Sequence, residues 1–246
     1  MKGKAIGGWP GVMVPLLMLL TMTLQMPLLE PLFSRLVDNQ APAIYTRDSF
    51  LNLLFWHLAA VFIAIGAATL VALGGGVLVT RPAGREFLPL ARAIANLGQT
   101  FPPVAVLALA VPALGFGLTP TLVALFLYGV LPIYENTVTG LQQVPKNVTE
   151  AARGMGMSAL QQLFTVELPL ALPTIIAGIR VSLVISIGTA TIGSTVAAKG
   201  FGEVIIAGLL TDNMAFVLQG GVMVALVAIV IDGLFQRLER RLSPPG

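Results

Sequence analysis

Glu150-Ala151-Ala152-Arg153-Gly154-Met155-Gly156, then nine residues, then Val166-Glu167-Leu168-Pro169: this run closes a polar stretch, Asn136 to Pro169, with long apolar sequence on either side. Its residues read as two short helices around a glycine. Asn147 followed by Glu150 has the spacing of an N-cap with a reciprocal acid three residues on. Ala151 and Ala152 are small helix formers that let a partner surface approach closely. Gly156 can take a positive φ and end the first helix. Ser158 with Gln161 forms a capping box for the second. Pro169 is expected to stop that second helix, because the residue before a proline avoids the α region.

The pattern resembles the EAA loop of ABC-transporter membrane subunits, those of importers that work with a separate solute-binding protein. Glu150, Ala151, Ala152, Gly156, Val166, Leu168 and Pro169 occupy the family's positions. The resemblance implies that these seven residues form the contact with a separate ATP-binding subunit.

The flanking sequence agrees with a membrane protein. Of 246 residues, 56% are hydrophobic and 10% charged, with a mean hydropathy of +0.90; a soluble domain carries about 25% charged residues. The basic residues are scattered over loops and ends, at a net charge of +3, which is no nucleic-acid footprint. There is no cysteine, hence no disulfide, thiolate or cysteine metal site. The single histidine, His57, cannot build a histidine metal site and is expected as a tolerated polar residue at a helix entrance.

The fold class expected is all-α, a polytopic helical membrane protein of six spans. The first runs from about Gly11 to Leu29, after Lys2 and Lys4 and with Trp9 near its interface. No small-residue cleavage pattern follows it, so it is read as uncleaved rather than as a signal peptide. An extramembrane loop, Glu30 to Asn52, leads to a second span, Leu53 to Val79, whose Gly66, Gly74, Gly75 and Gly76 suit close packing between helices. The third, Leu88 to Leu114, contains Gln99-Thr100-Phe101-Pro102-Pro103, and two adjacent prolines must break or kink it. Backbone groups freed at that depth need protein partners or a wet cavity. The fourth span is short, Pro120 to Tyr134; the fifth runs from Leu170 to Ala197; a soluble-looking loop, Ala198 to Asn213, precedes the sixth, Met214 to Phe235. The domain division expected is an extra helix with its loop over 1–48, a transport domain over 49–238 and a tail over 239–246.

Six spans put both ends on one side. That side collects Lys2, Lys4, Arg81, Arg85, Arg92, Lys146, Arg153, Arg237, Arg240 and Arg241; the other has Arg35, Arg47 and Lys199. The positive-inside rule therefore predicts cytoplasmic termini and a cytoplasmic central loop, where an ATPase would meet it. Arg180 is the one cation well inside a span, and a buried carboxylate or helix-end partner is expected for it rather than a solute.

No phosphate-binding Gly-x-x-x-x-Gly-Lys-Ser/Thr loop is present, so the chain is not expected to be an enzyme or to hold a cofactor; ATP would be bound by the partner. Asn96 to Pro103, Phe126 to Ile133, Gly178-Ile179-Arg180 and Ile192 to Val196 resemble permeases for osmoprotectants such as glycine betaine, choline and carnitine, and the likeness covers about Ser49 to Leu238. It implies a bacterial inner-membrane protein with an ATP-binding subunit, a second permease chain (a different one, or an identical copy) and a periplasmic binding protein as partners, in a lipid bilayer and without nucleic acid. Gln99, Phe101, Pro102, Tyr128 and Arg180 are the candidate path residues. An ABC permease for another small solute, methionine or an oxyanion, and an ion-coupled carrier remain the alternatives; intramembrane carboxylates, which such carriers use, are scarce here.

Overall fold

The structure is a computed structural model that describes residues 10–37 and 41–242; Lys2, Lys4 and Trp9 lie outside them. Among the described residues every regular element is helical. Helix α1, Pro10–Gln25, continues through helical turns at Met26–Leu29, Glu30–Phe33 and Ser34–Leu36. The loop predicted from Glu30 thus begins only after Leu36. Pro27 and Pro31 do not interrupt the run, because each opens a helical turn, where a missing N–H costs little.

Helix α2 is Phe50–Thr80, started by Ser49, whose Oγ accepts the Asn52 N–H at 3.2 Å. Then come α3, Leu88–Thr100, and α4, Pro103–Leu114. The third span is broken outright, with its halves at 90°. Helix α5 is Leu118–Gln142, so the polar stretch is helical up to Gln142 and the fourth span is not short. Its polar residues are tolerated because they bond their own helix: Asn136 Nδ2 donates to Pro132 O at 2.8 Å and Thr137 Oγ1 to Ile133 O at 2.7 Å. Helix α6 is Lys146–Gly154 and α7 is Ala159–Gln162; a π-helical turn, Leu163–Glu167, joins α7 to α8, Leu168–Thr189, which tightens into a 3₁₀ segment, Ala190–Val196. Helices α9, Phe201–Leu210, and α10, Met214–Leu242, complete the chain, so the expected tail begins as helix. Among the described residues five helical runs are long and apolar enough to cross a bilayer, and the bent α3–α4 pair makes a sixth crossing if it counts as one.

Helix α5 is central, packed between α2 and α8; α10 closes on α8 and α9, and α1 lies outside against α10. Ile133, Val138, Val61, Leu183 and Ile187 are almost wholly buried at these contacts. Of the α2 glycines only Gly76 is required by a close approach: a Cβ there would stand 2.6 Å from Thr137 Cγ2, whereas Gly66 and Gly74 face open space and Gly75 is in ordinary contact. His57 is no entrance residue. It is buried within α2, and its Nε2 donates to Ile187 O at 3.0 Å, tying α2 to α8.

The loop expected over Ala198 to Asn213 is largely helix α9, whose Phe201 and Val204 are fully buried. Its polar residues lie along the margins: Lys199 pairs with Asp48 at 2.8 Å and Glu203 accepts from Tyr45 OH at 3.3 Å. Lys199 holds the Asp48 carboxyl below the usual carboxylate range, and burial next to Glu203 pushes the Tyr45 phenol up to about 12. Two buried amides fasten the preceding loop. Gln219 accepts the Tyr45 N–H at 3.1 Å and donates to Ala43 O at 2.7 Å, while Asn213 donates to Pro42 O at 2.9 Å. The 41–49 loop and the α9 hairpin therefore share one side of the protein.

Candidate coupling site and translocation path

On the opposite side α6, α7 and the π turn form a knob. The first helix is not capped by Asn147: Pro145 is the N-cap, and Asn147 lies inside the first turn, with Thr149 Oγ1 donating back to Lys146 O at 2.9 Å. A proline fits there because its ring presets φ and the position makes no demand for an N–H. Glu150 is consequently a solvent-exposed residue of the second turn rather than a capping acid. Gly156 takes φ +80°, and the reversal is closed by Gly156 N–H to Arg153 O at 2.9 Å and Met157 N–H to Ala152 O at 3.2 Å. The box at Ser158 is complete: Gln161 N–H donates to Ser158 Oγ at 3.3 Å and Ser158 N–H to Gln161 Oε1 at 2.9 Å.

Ala151 faces solvent, whereas Ala152 is 1% exposed and packs inward, so only one of the two alanines offers a surface to a partner. Met155, Leu160 and Phe164 project as exposed apolar side chains beside them. Val166 and Leu168 are half-buried beneath, and Pro169 is exposed. Pro169 does not stop the second helix. The chain runs helically from Ala159 to Val196. Proline lacks an N–H and its ring collides with the carbonyl four residues earlier; the wide Leu163–Glu167 turn supplies the room, and Leu168 stays α-helical at φ −63° and ψ −45°.

The knob is held by a buried carboxylate, Glu167, which stands in the quoted run but to which the sequence pattern assigns no role. Glu167, 7% exposed at its side chain, accepts from Arg81 Nη2 and from Gln162 Nε2, the latter at 2.6 Å; Gln162 Oε1 in turn accepts from Arg153 Nε at 3.3 Å. Arg81 follows the last residue of α2, so the turn after α2 and the knob share a side. The only advance signal was an acid placed between apolar residues in Val166-Glu167-Leu168.

Four candidate path residues meet at the α3–α4 corner. Phe101 and Pro102 are extended, at ψ 131° and 140°, as residues before prolines prefer. Tyr128 OH donates to Phe101 O. Pro132 in α5 cannot donate to the Tyr128 carbonyl four residues back, and Gln99 Nε2 does so instead at 2.8 Å. The freed carbonyl thus finds its partner on the broken helix. Beside the corner an apolar recess of about 270 Å³ opens between α2, α3 and α5, with Gly98, Phe126 and Tyr134 in its wall. At the other end of α3, Arg92 makes a two-pronged pair with Glu135, Nε to Oε1 at 2.6 Å and Nη2 to Oε2 at 2.9 Å. Arg180 is not at the corner. Its guanidinium lies 3.5 Å from both Asp232 and Glu239 of α10.

A helical bundle with five long apolar helices, a sixth span broken at its middle and an exposed knob carried on a continuous helix is the architecture of a polytopic membrane protein. Residues 72–244 match the binding-protein-dependent transport system inner membrane component family, and the chain belongs to that family. It is 43% identical over 188 residues to the osmoprotectant import permease protein OsmY of Salmonella typhimurium, covering 76% of this chain and 80% of that one. It is 42% identical over 190 residues to the choline transport system permease protein OpuBB of Bacillus subtilis, covering 77% and 87%. Among solved structures, a chain of the MetNI methionine ABC transporter, inward facing, superposes with a TM-score of 0.71 at 24% identity, over 79% of this chain and 96% of that one, a likeness of fold.

Proposed function

We propose that the chain is one half of the membrane pathway of an ATP-driven bacterial importer of osmoprotectants, the glycine betaine, choline and carnitine class. The knob, with Glu150, Ala151 and Gly156 outward, docks on a separate ATP-binding subunit in the cytoplasm, where both termini also lie. A second permease chain completes the pore, and a periplasmic binding protein delivers the solute to the side of the 41–49 loop. Nucleotide-driven closure of the ATPases biases the permeases between inward- and outward-facing states.

The observation that carries this is the exposed, doubly capped knob seated on a buried carboxylate at the root of an unbroken helix. The solute class is supported by the identity to osmoprotectant and choline permeases. The corner itself presents two rings, Phe101 and Tyr128, too few to enclose a quaternary ammonium ion, so selectivity resides in the binding protein and this chain is a weakly selective path. Labelled glycine betaine uptake in a strain stripped of other betaine carriers tests it. Uptake is expected only when the ATPase, the second permease chain and the binding protein are restored together with this chain. Uptake by this chain alone, driven by an ion gradient, would make it a secondary carrier; background uptake of betaine, choline and carnitine alongside transport of another solute would refute the solute class.

A further inference from the structure

We infer that Glu167 is a positioning residue for coupling: clamped by Arg81 and Gln162, it makes the end of α2 move with the knob. The inference rests on the knob being the ATPase contact. The hydrogen-bonded line runs from Arg81, after α2, through Glu167 and Gln162 to Arg153 on α6. It crosses 86 residues of sequence at its first step and ties the end of α2 to the π turn, α7 and α6.

Two features make this line a strut rather than a surface decoration. The carboxylate is 7% exposed, so separating it from the Arg81 guanidinium would leave a charge in a poorly hydrated place. The Arg81 end is 28% exposed and can be rehydrated, so the restraint lies at the Glu167 end. Glu167 is also the last residue of the π turn, the irregular stretch at the base of the knob where it runs into α8. Single π turns inside helices occur frequently at functional sites, and the wider turn here departs from the α-helical hydrogen-bond ladder on either side. The clamp sits where flexing would dissipate a displacement of the knob and transmits it to α2 as well as to α8. Helix α2 packs along α5, and α5 carries Tyr128 at the corner, so the displacement reaches the path.

The test uses the assembled transporter, with ATPase, second permease and binding protein, in proteoliposomes supplied with glycine betaine and ATP. Solute uptake and phosphate release are measured together for the parent and for Glu167→Gln, which keeps side-chain volume and an acceptor for Gln162 but removes the charge. The expected result is normal co-purification of the ATPase, with uptake per ATP hydrolysed lowered about two- to thirtyfold, the range for mutations along a coupling network. A ratio within twofold of the parent's, whether the two activities stay high or fall together, overturns the inference, since a merely structural residue lowers both in proportion. If the Glu167→Gln chain is lost from the membrane, Arg81→Gln, at the more exposed end, is judged by the same ratio. Failure of the parent chain to hold the ATPase would instead refute the docking site, a different outcome from an intact complex whose ratio does not change.

Discussion

Pro102-Pro103 and Pro169 stand in similar sequence, each where an apolar run adjoins polar residues, and the chain treats them in opposite ways. At the pair the helix ends, two residues turn extended, and a new helix leaves at 90°. At Pro169 the helix continues from Ala159 to Val196. Two consecutive prolines remove two donors and force the two residues before them out of the α region. One proline removes one donor, and a π turn just before it absorbs the ring. Pro132 is a third solution: the helix keeps its course and Gln99 takes up the freed carbonyl. A proline in a membrane helix is thus a demand for one partner or a little space, and it breaks the helix only when the demand is doubled. The difference has a use. Under the proposed function the broken helix provides a corner on the path, and the continuous one joins knob to bundle through the π turn.

Replacing both Pro102 and Pro103 with alanine should have the largest effect. Each interior proline disfavours helix by about 3 kcal/mol, a factor on the order of 10² in a local equilibrium. The corner should straighten, the distance between spin labels at Ile94→Cys and Leu109→Cys should lengthen toward about 22 Å, and uptake should fall by an order of magnitude or more. Unchanged distance and uptake would mean that packing, not the prolines, makes the bend. Gly156→Val should act next most strongly. The site has room for a side chain, but φ +80° costs a β-branched residue about 1–2 kcal/mol, a five- to thirtyfold weakening of ATPase co-purification with membrane insertion intact. Pro169→Ala should do least. Pro169 stands in the first turn of α8, where its missing N–H costs little and alanine fits as well, so uptake should stay within about twofold of the parent; a loss as large as that of the double variant would erase the distinction between the two sites.

What could be read in the sequence follows the same physics. Ser158 with Gln161, and Gly156 in its reversal, are decided by neighbours three or four residues away, and both are as expected. The Asn147 cap failed because Pro145, two residues earlier, already starts the helix. Helix α9 was unreadable as such: a ten-residue helix is too short to announce a span, and Lys199, Glu203 and Asp212 made the stretch look like a loop. Their partners Asp48 and Tyr45, like Arg81 for Glu167, come from distant sequence that no local rule pairs. His57 looked tolerated because its acceptor, Ile187 O, is a backbone atom of another helix.

Because the chain contains no cysteine, single cysteines report directly on what the knob touches. Ala151→Cys, on its exposed face, and Thr46→Cys, in the exposed loop on the opposite side, are each treated with a short thiol-to-amine crosslinker in membranes holding the complete transporter. An adduct is expected between Ala151→Cys and the ATP-binding subunit, and none from Thr46→Cys. An ATPase adduct from Thr46→Cys, or no ATPase adduct from Ala151→Cys in a transporter that still carries solute, would contradict docking of the knob on the ATPase.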